Sequence, residues 1–309
     1  MAEWLYEAGI GENRAILVDG DTIIEAQIEL LGLRAGTVAD GRLTSILISG
    51  RRGIATLDDG TEVLIEPLPK VTEGAAVGVE IIREVIVERG AVKRAKGRIT
   101  DAQLCCGPDL AMRIGRHRVI GLHDADLFEQ TGWSECLEDA GRLLCDFREG
   151  QARLSLTPAM TLIDIDGPGN AATLAMAGAV AAARMIRRFG LAGNIGIDLP
   201  TVVGKTERLA ISAAFDAELP QPYERTAVNG FGFLQVIRPR VRASLCETIS
   251  DDPIGAQARA LIRQVQRSGR IGATELQTSC EIAKVIAAHP SWMSVLSQQL
   301  GGLVTVKTH

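Results

Sequence analysis

Two apolar runs that each end on an aspartate, joined by a long alanine-rich stretch, constrain this chain more than any other feature. The first, "AMTLIDID" at 159–166, breaks at Gly167-Pro168-Gly169; the second, "AGNIGID", occupies 192–198. Short Ile-rich runs bounded by Gly and Pro read as buried strands, and "NAATLAMAGAVAAARMIRR" between them reads as a helix stopped at Gly190. Two strands joined by a crossover helix lie parallel in one sheet. Asp164 and Asp198 are then expected at the same carboxyl edge, which is where α/β sheets place their ligands. Two carboxylates held together repel, and a raised pKa or a bound cation relieves the repulsion. Mg²⁺, with Mn²⁺ as a substitute, is held by one or two carboxylates while keeping several waters. Asp166 joins this site if the turn begins at it and stands apart if the strand continues to it. A single aspartate at a strand end is also an ordinary helix cap or Asx turn; the pair carries more than either member.

"VGKTERLAISAAFDAEL" reads as a further helix and "GFGFLQVIRPRVR" as a third strand, completing an α/β layer. The third strand places Arg238, Arg240 and Arg242 at alternate positions. In an extended segment that spacing sets all three guanidinium groups on one face, an arrangement suited to a phosphate backbone. An edge strand guarded by charge would show the same pattern.

Ahead of this layer, residues 36 to 98 hold several short runs separated by Gly, Asp-Gly and Pro, as in "GIATLDDGTEVLIEP". Such spacing suggests a small closed barrel of the OB type. The barrel would end on "REVIVERGAVKRAKGR", which carries six Lys or Arg against two Glu, among them Lys93, Arg94, Lys96 and Arg98. The first 35 residues read as two or three more strands, and 101 to 150 as a strand with one or two helices. Residues 255 to 309 read as helix, strand, helix, helix and a last strand.

A net charge of −5 on 309 residues excludes a uniformly basic coating protein, and 46% hydrophobic residues suffice for two or three small domains. Six cysteines without a CxxC pair, no secretory leader pattern and no apolar run near roughly 18 residues point to a cytoplasmic protein that does not meet a membrane. His117, His123, Cys105 and Cys106 match no compact zinc spacing, so zinc is not expected.

Three segments together resemble the ribonuclease E/G endoribonucleases: "TLIDID", "AARMIRRFGLAGNIGIDL" and "FGFLQVIRPRVRASL", in the family's order and at similar spacings. The opening "EWLYEAGIGENRAIL" and the stretch "VEIIREVIVERGAVKRAKGR" are similar to short, single-subunit members. The resemblance implies an α/β composite. An RNase H-like portion would comprise 1–35 and 99–150, and an OB-type RNA-binding barrel 36–98. A DNase I-like catalytic portion would span 151–248 and a small C-terminal domain 249–309. It also implies a Mg²⁺-dependent endoribonuclease acting on single-stranded RNA. Asp164 and Asp198 would be its metal ligands, Asp166 would stand where the family usually has Asn, and the seven basic residues named above would hold RNA. A non-catalytic RNA-binding accessory protein of the same fold is the alternative.

Three departures narrow the resemblance. The segment 99 to 150 is too short for the family's 5′-end sensing domain. Cys246 stands alone where the family's Cys-Pro-x-Cys zinc link would follow "RASL", so any homo-oligomer would lack that link. The barrel segment contains no Phe, Tyr or Trp on which bases could stack.

Overall fold

A computed structural model describes residues 2–88 and 91–308, so Arg89 and Gly90 of the basic run lie outside the described residues. The chain is mixed α/β. It opens with antiparallel β1 (Glu3–Ala8), β2 (Glu12–Asp19) and β3 (Thr22–Leu30).

Next come β4 (Val38–Ile48), β5 (Arg52–Leu57), β6 (Glu62–Ile65) and β7 (Ala76–Arg83). A short hairpin follows, β8 (Ile86–Glu88) with β9 (Ala91–Lys93), and then β10 (Ala95–Ile99). Strands β4 to β7 and β10 close into a five-stranded barrel in the order β10-β6-β5-β4-β7, a topology compatible with the OB type. Alternation along the strands aims Leu43, Ala55, Leu57, Val63, Ile65, Val77, Val79, Ile81 and Ala95 into one core. The second half of the basic run is thus the strand that completes the barrel.

The segment after the barrel holds α1 (Leu110–Ile114), β11 (Arg118–Val119), α2 (Leu127–Gln130) and α3 (Trp133–Arg142). Strand β11 adds to β1, making a four-stranded sheet ordered β11-β1-β2-β3.

A six-stranded sheet follows, from β12 (Leu144–Phe147), β13 (Gly150–Leu156), β14 (Thr161–Asp166), β15 (Gly193–Asp198), β16 (Glu224–Arg225) and β17 (Phe233–Arg238). Its order is β12-β13-β14-β15-β17-β16, with β14 and β15 the parallel pair. Helix α4 (Ala171–Arg188) makes the crossover, and α5 (Lys205–Glu218) packs against α4. The sheet begins at Leu144, ahead of the boundary expected at 151, because "LCDF" pairs with β13 as a hairpin.

The last part runs α6 (Leu245–Asp251), α7 (Pro253–Arg267), β18 (Thr274–Thr278), α8 (Cys280–Ala288), α9 (Pro290–Leu300) and β19 (Val304–Thr308). From α7 onward this is the order read from the sequence.

Two compact units result: one from residues up to Leu31, Ile114–Arg142 and Thr248 onward, the other from Gly32–Arg113 and Leu143–Glu247. The first is tied together by buried ion pairs. Glu7 receives Arg14, Arg263 and Arg267, while Arg259 bridges Glu12 at 2.9 Å and Asp252 at 3.0 Å. The second holds the barrel and the six-stranded sheet. Among the described residues no helix is long and apolar enough to cross a membrane.

Candidate functional site

One face of the six-stranded sheet is apolar. Ile163, Ile165, Ile195, Ile197, Leu234 and Val236 are buried, and α4 packs on β13 and β14. That packing is close because residue 178 is glycine; a Cβ there would overlap the Cγ2 of Ile165. The helix enters with Asn170 as its cap, whose Oδ1 accepts from the N–H groups of Ala172 at 2.9 Å and Thr173 at 3.3 Å. Asn170, rather than either strand-end aspartate, therefore caps α4, and the carboxylates of β14 are left for the other face.

The parallel register of β14 and β15 pairs Asp164 directly with Asp198. This is the juxtaposition expected from the two Ile-Asp endings. Strand β14 continues through Asp166, yet Asp166 is not set apart. Side chains two residues apart on a strand share a face, so continuation of the strand is what joins it to Asp164. Both are exposed, as is Asp198.

Three carboxylates on one patch leave an electrostatic mark. Burial, first, and then the charges of Asp166 and Asp198 push the Asp164 carboxyl above its ordinary value. A hydrogen bond with Asp166 raises it further, and the guanidinium of Arg153 pulls the other way. Arg153 is the cross-strand partner of Asp164 on β13. It is the functional-face residue that sequence reading missed; the alternation in "QARLSL" could have flagged it, but only once the β13–β14 register was known. Beyond Asp198 on the same face, the ring of Phe233 lies across Gly196, where a Cβ would stand 2.5 Å from its Cζ.

The arginine row is not formed. Strand β17 ends at Arg238, before Pro239, so Arg240 and Arg242 do not continue the period-two face. Each guanidinium has a local partner: Arg238 donates to the carbonyl of Leu191 at 3.0 Å, Arg240 pairs with Glu247, and Arg242 lies 3.5 Å from Glu84. Register also sets Arg238 opposite Gly193, at the far end of β15 from Asp198. Five residues of strand separate them, or about 17 Å. These arginines therefore do not join the carboxylates in one site.

The barrel's basic residues are on the surface and largely matched by acids. Arg94 meets Glu62 at 2.6 Å, Lys96 meets Glu66 at 2.8 Å, and Arg98 meets Glu80 at 2.7 Å. Glu66, between Lys96 and Arg52, is held down to about 2 by its hydrogen bonds to them. Lys93 ends the β8–β9 hairpin and has an interaction partner as well.

Asp164, Asp166 and Asp198 offer only hard oxygen donors, which suit Mg²⁺ or Mn²⁺ better than zinc. Among the described residues no three or more His, Cys, Asp or Glu side chains are set as a ready-made metal cage. A Mg²⁺ site needs only one or two carboxylates with water completing the shell. Cys246 is a buried free cysteine in α6. No protein-family model matches the chain, and no curated protein matches it significantly.

Proposed function

We propose that this chain is a divalent-metal-dependent endoribonuclease that hydrolyses single-stranded RNA to 5′-phosphate and 3′-hydroxyl ends. The observation that carries the reading is the register that sets Asp164 beside Asp198, with Asp166 on the same face of β14, at the carboxyl edge of the parallel pair. Burial first, and then the charges of Asp166 and Asp198, raise Asp164, and a cation there relieves the repulsion between the carboxylates. Asp164 and Asp198 would hold Mg²⁺. When bound, the ion supplies a water of lowered pKa and neutralises charge on the phosphoryl oxygens. Asp166 adds negative charge beside the pair. Arg153, across the strand from Asp164, is placed to take a non-bridging phosphate oxygen. RNA would compete with the ion pairs of Arg94, Lys96 and Arg98, and phosphate contacts with these residues and Lys93 would weaken with salt as counterions are released.

The motif resemblance to the ribonuclease E/G family supports the same reading. On it, the four-stranded sheet belongs to the RNase H-like portion, the barrel is the OB-type module, and the six-stranded sheet with α4 and α5 is the DNase I-like portion. The second reading is a non-catalytic RNA-binding accessory protein that keeps the fold without the family's stacking parts, in line with a barrel segment 36–98 that holds no Phe, Tyr or Trp. The test is cleavage of matched single-stranded RNAs bearing 5′-monophosphate or 5′-triphosphate ends, in Mg²⁺ or EDTA. Metal-dependent cutting that is lost in both Asp164→Asn and Asp198→Asn is the expected result. Wild type that binds RNA but cuts none in Mg²⁺ or Mn²⁺ would replace the enzyme reading with the accessory one.

A further inference from the structure

Folded chains seldom leave a large aromatic ring in water on a rigid backbone. Phe231 is 84% exposed, and among the described residues it is the only exposed Phe, Tyr or Trp. It does not sit on a loose tip. Its N–H donates to Asn229 Oδ1 at 2.9 Å, its carbonyl accepts from the Thr201 hydroxyl at 3.1 Å, and the neighbouring Gly232 carbonyl accepts from the Leu199 N–H at 3.2 Å. Asn229 Oδ1 also accepts from Phe233 N–H at 3.0 Å. These bonds fasten the turn before β17 to the loop that follows Asp198.

Its place is as informative as its exposure. Phe231 stands two residues before Phe233, the cross-strand partner of Asp198. Val203, 92% exposed, lies on the loop that Thr201 ties to Phe231. Two exposed apolar side chains thus stand on the turn and the loop that adjoin the end of β15. A single-stranded nucleic acid is held largely by bases stacking on such rings, and the barrel segment 36–98 has none to offer.

We infer that Phe231 is a base-stacking platform: an unpaired nucleobase next to the phosphodiester lies on its ring while the phosphate reaches the carboxylate patch. The inference rests on the RNA-hydrolase reading and gives that site a preference for unstacked, single-stranded bases of any identity. Phe231 is a positioning residue, acting on the substrate's placement rather than on the reacting atoms.

The test is equilibrium binding, by fluorescence anisotropy in EDTA and in Ca²⁺, of a labelled single-stranded RNA and of an abasic strand of equal length. Phe231→Ala is expected to weaken binding of the base-bearing strand by about 5- to 150-fold, with Phe231→Trp close to wild type and the abasic strand indifferent to either change. Unchanged affinity in Phe231→Ala, with wild type binding the RNA, overturns the stacking role and leaves the RNA reading intact. Wild type that binds neither strand in either buffer overturns both.

Discussion

Removing the charge of Glu7 tests how the first unit is held together. Its side chain is only 5% exposed, and its two oxygens receive three guanidinium groups. In Glu7→Gln, Arg14 keeps Glu12 at 2.7 Å, and Arg263 keeps Asp126 at 2.6 Å and Glu129 at 3.3 Å. Arg267 keeps the carbonyls of Gly121 at 3.0 Å and Asp124 at 3.2 Å. Breaking a buried pair costs about 3–5 kcal/mol, because the partner charge stays buried. Two of the three arginines retain a carboxylate, which places the expected loss near the lower figure, about 3 kcal/mol. Trp4, Trp133 and Trp292 all lie in this unit and the other unit has no tryptophan, so tryptophan fluorescence isolates its unfolding. With a urea slope of about 2 kcal/mol/M, the midpoint should fall by about 1.5 M. Glu138→Gln, which removes an exposed pair with Arg142, should shift it by less than about 0.3 M. If the two variants behave alike, the buried network does not hold the unit.

Two further outcomes concern the sheet. Gly178→Val should press on Ile165 and displace β14, costing about 1–3 kcal/mol and lowering RNA cleavage beyond what the loss of folded protein explains; calorimetry beside activity separates the two. The pKa of Asp164 is raised on folding, so its favourable contribution is present below the ordinary carboxylate value and is lost as pH rises through the raised one. Asp164→Asn should therefore melt above wild type at pH 7 in EDTA, by an amount worth under about 1 kcal/mol for so exposed a group, with the gap closing toward pH 3. A variant that melts below wild type at pH 7 would show that repulsion does not govern the cluster.

The parts of this architecture legible in the sequence are those encoded by neighbours. The Ile-Asp endings, the alanine-rich stretch stopped at Gly190 and the short strands punctuated by Gly and Pro each carry their instruction within about twenty residues. Parallel pairing then followed from the crossover helix between the strands, and Asp164 met Asp198. What stayed hidden depends on register or on distant partners. Arg153 faces Asp164 only because β13 pairs with β14 in one particular frame. The arginine row failed because Pro239 ends β17 and because Glu247 and Glu84, close in space, claim its guanidinium groups. Phe231 carries no periodic signal at all; its exposure is a property of the folded turn.

The interleaving of the two units has a consequence for the order in which the protein is made. Glu7 precedes Arg267 by 260 positions, and a ribosome adding about 5–20 residues per second needs roughly 10–50 s to cover that interval. The second unit, complete at Glu247, is fully synthesised before α7 exists. Nascent β1 must therefore wait, its glutamate hydrated, while the barrel and the carboxylate-bearing sheet assemble downstream. Helix α7, made after the second unit, supplies the arginines that turn Glu7 into an interior group.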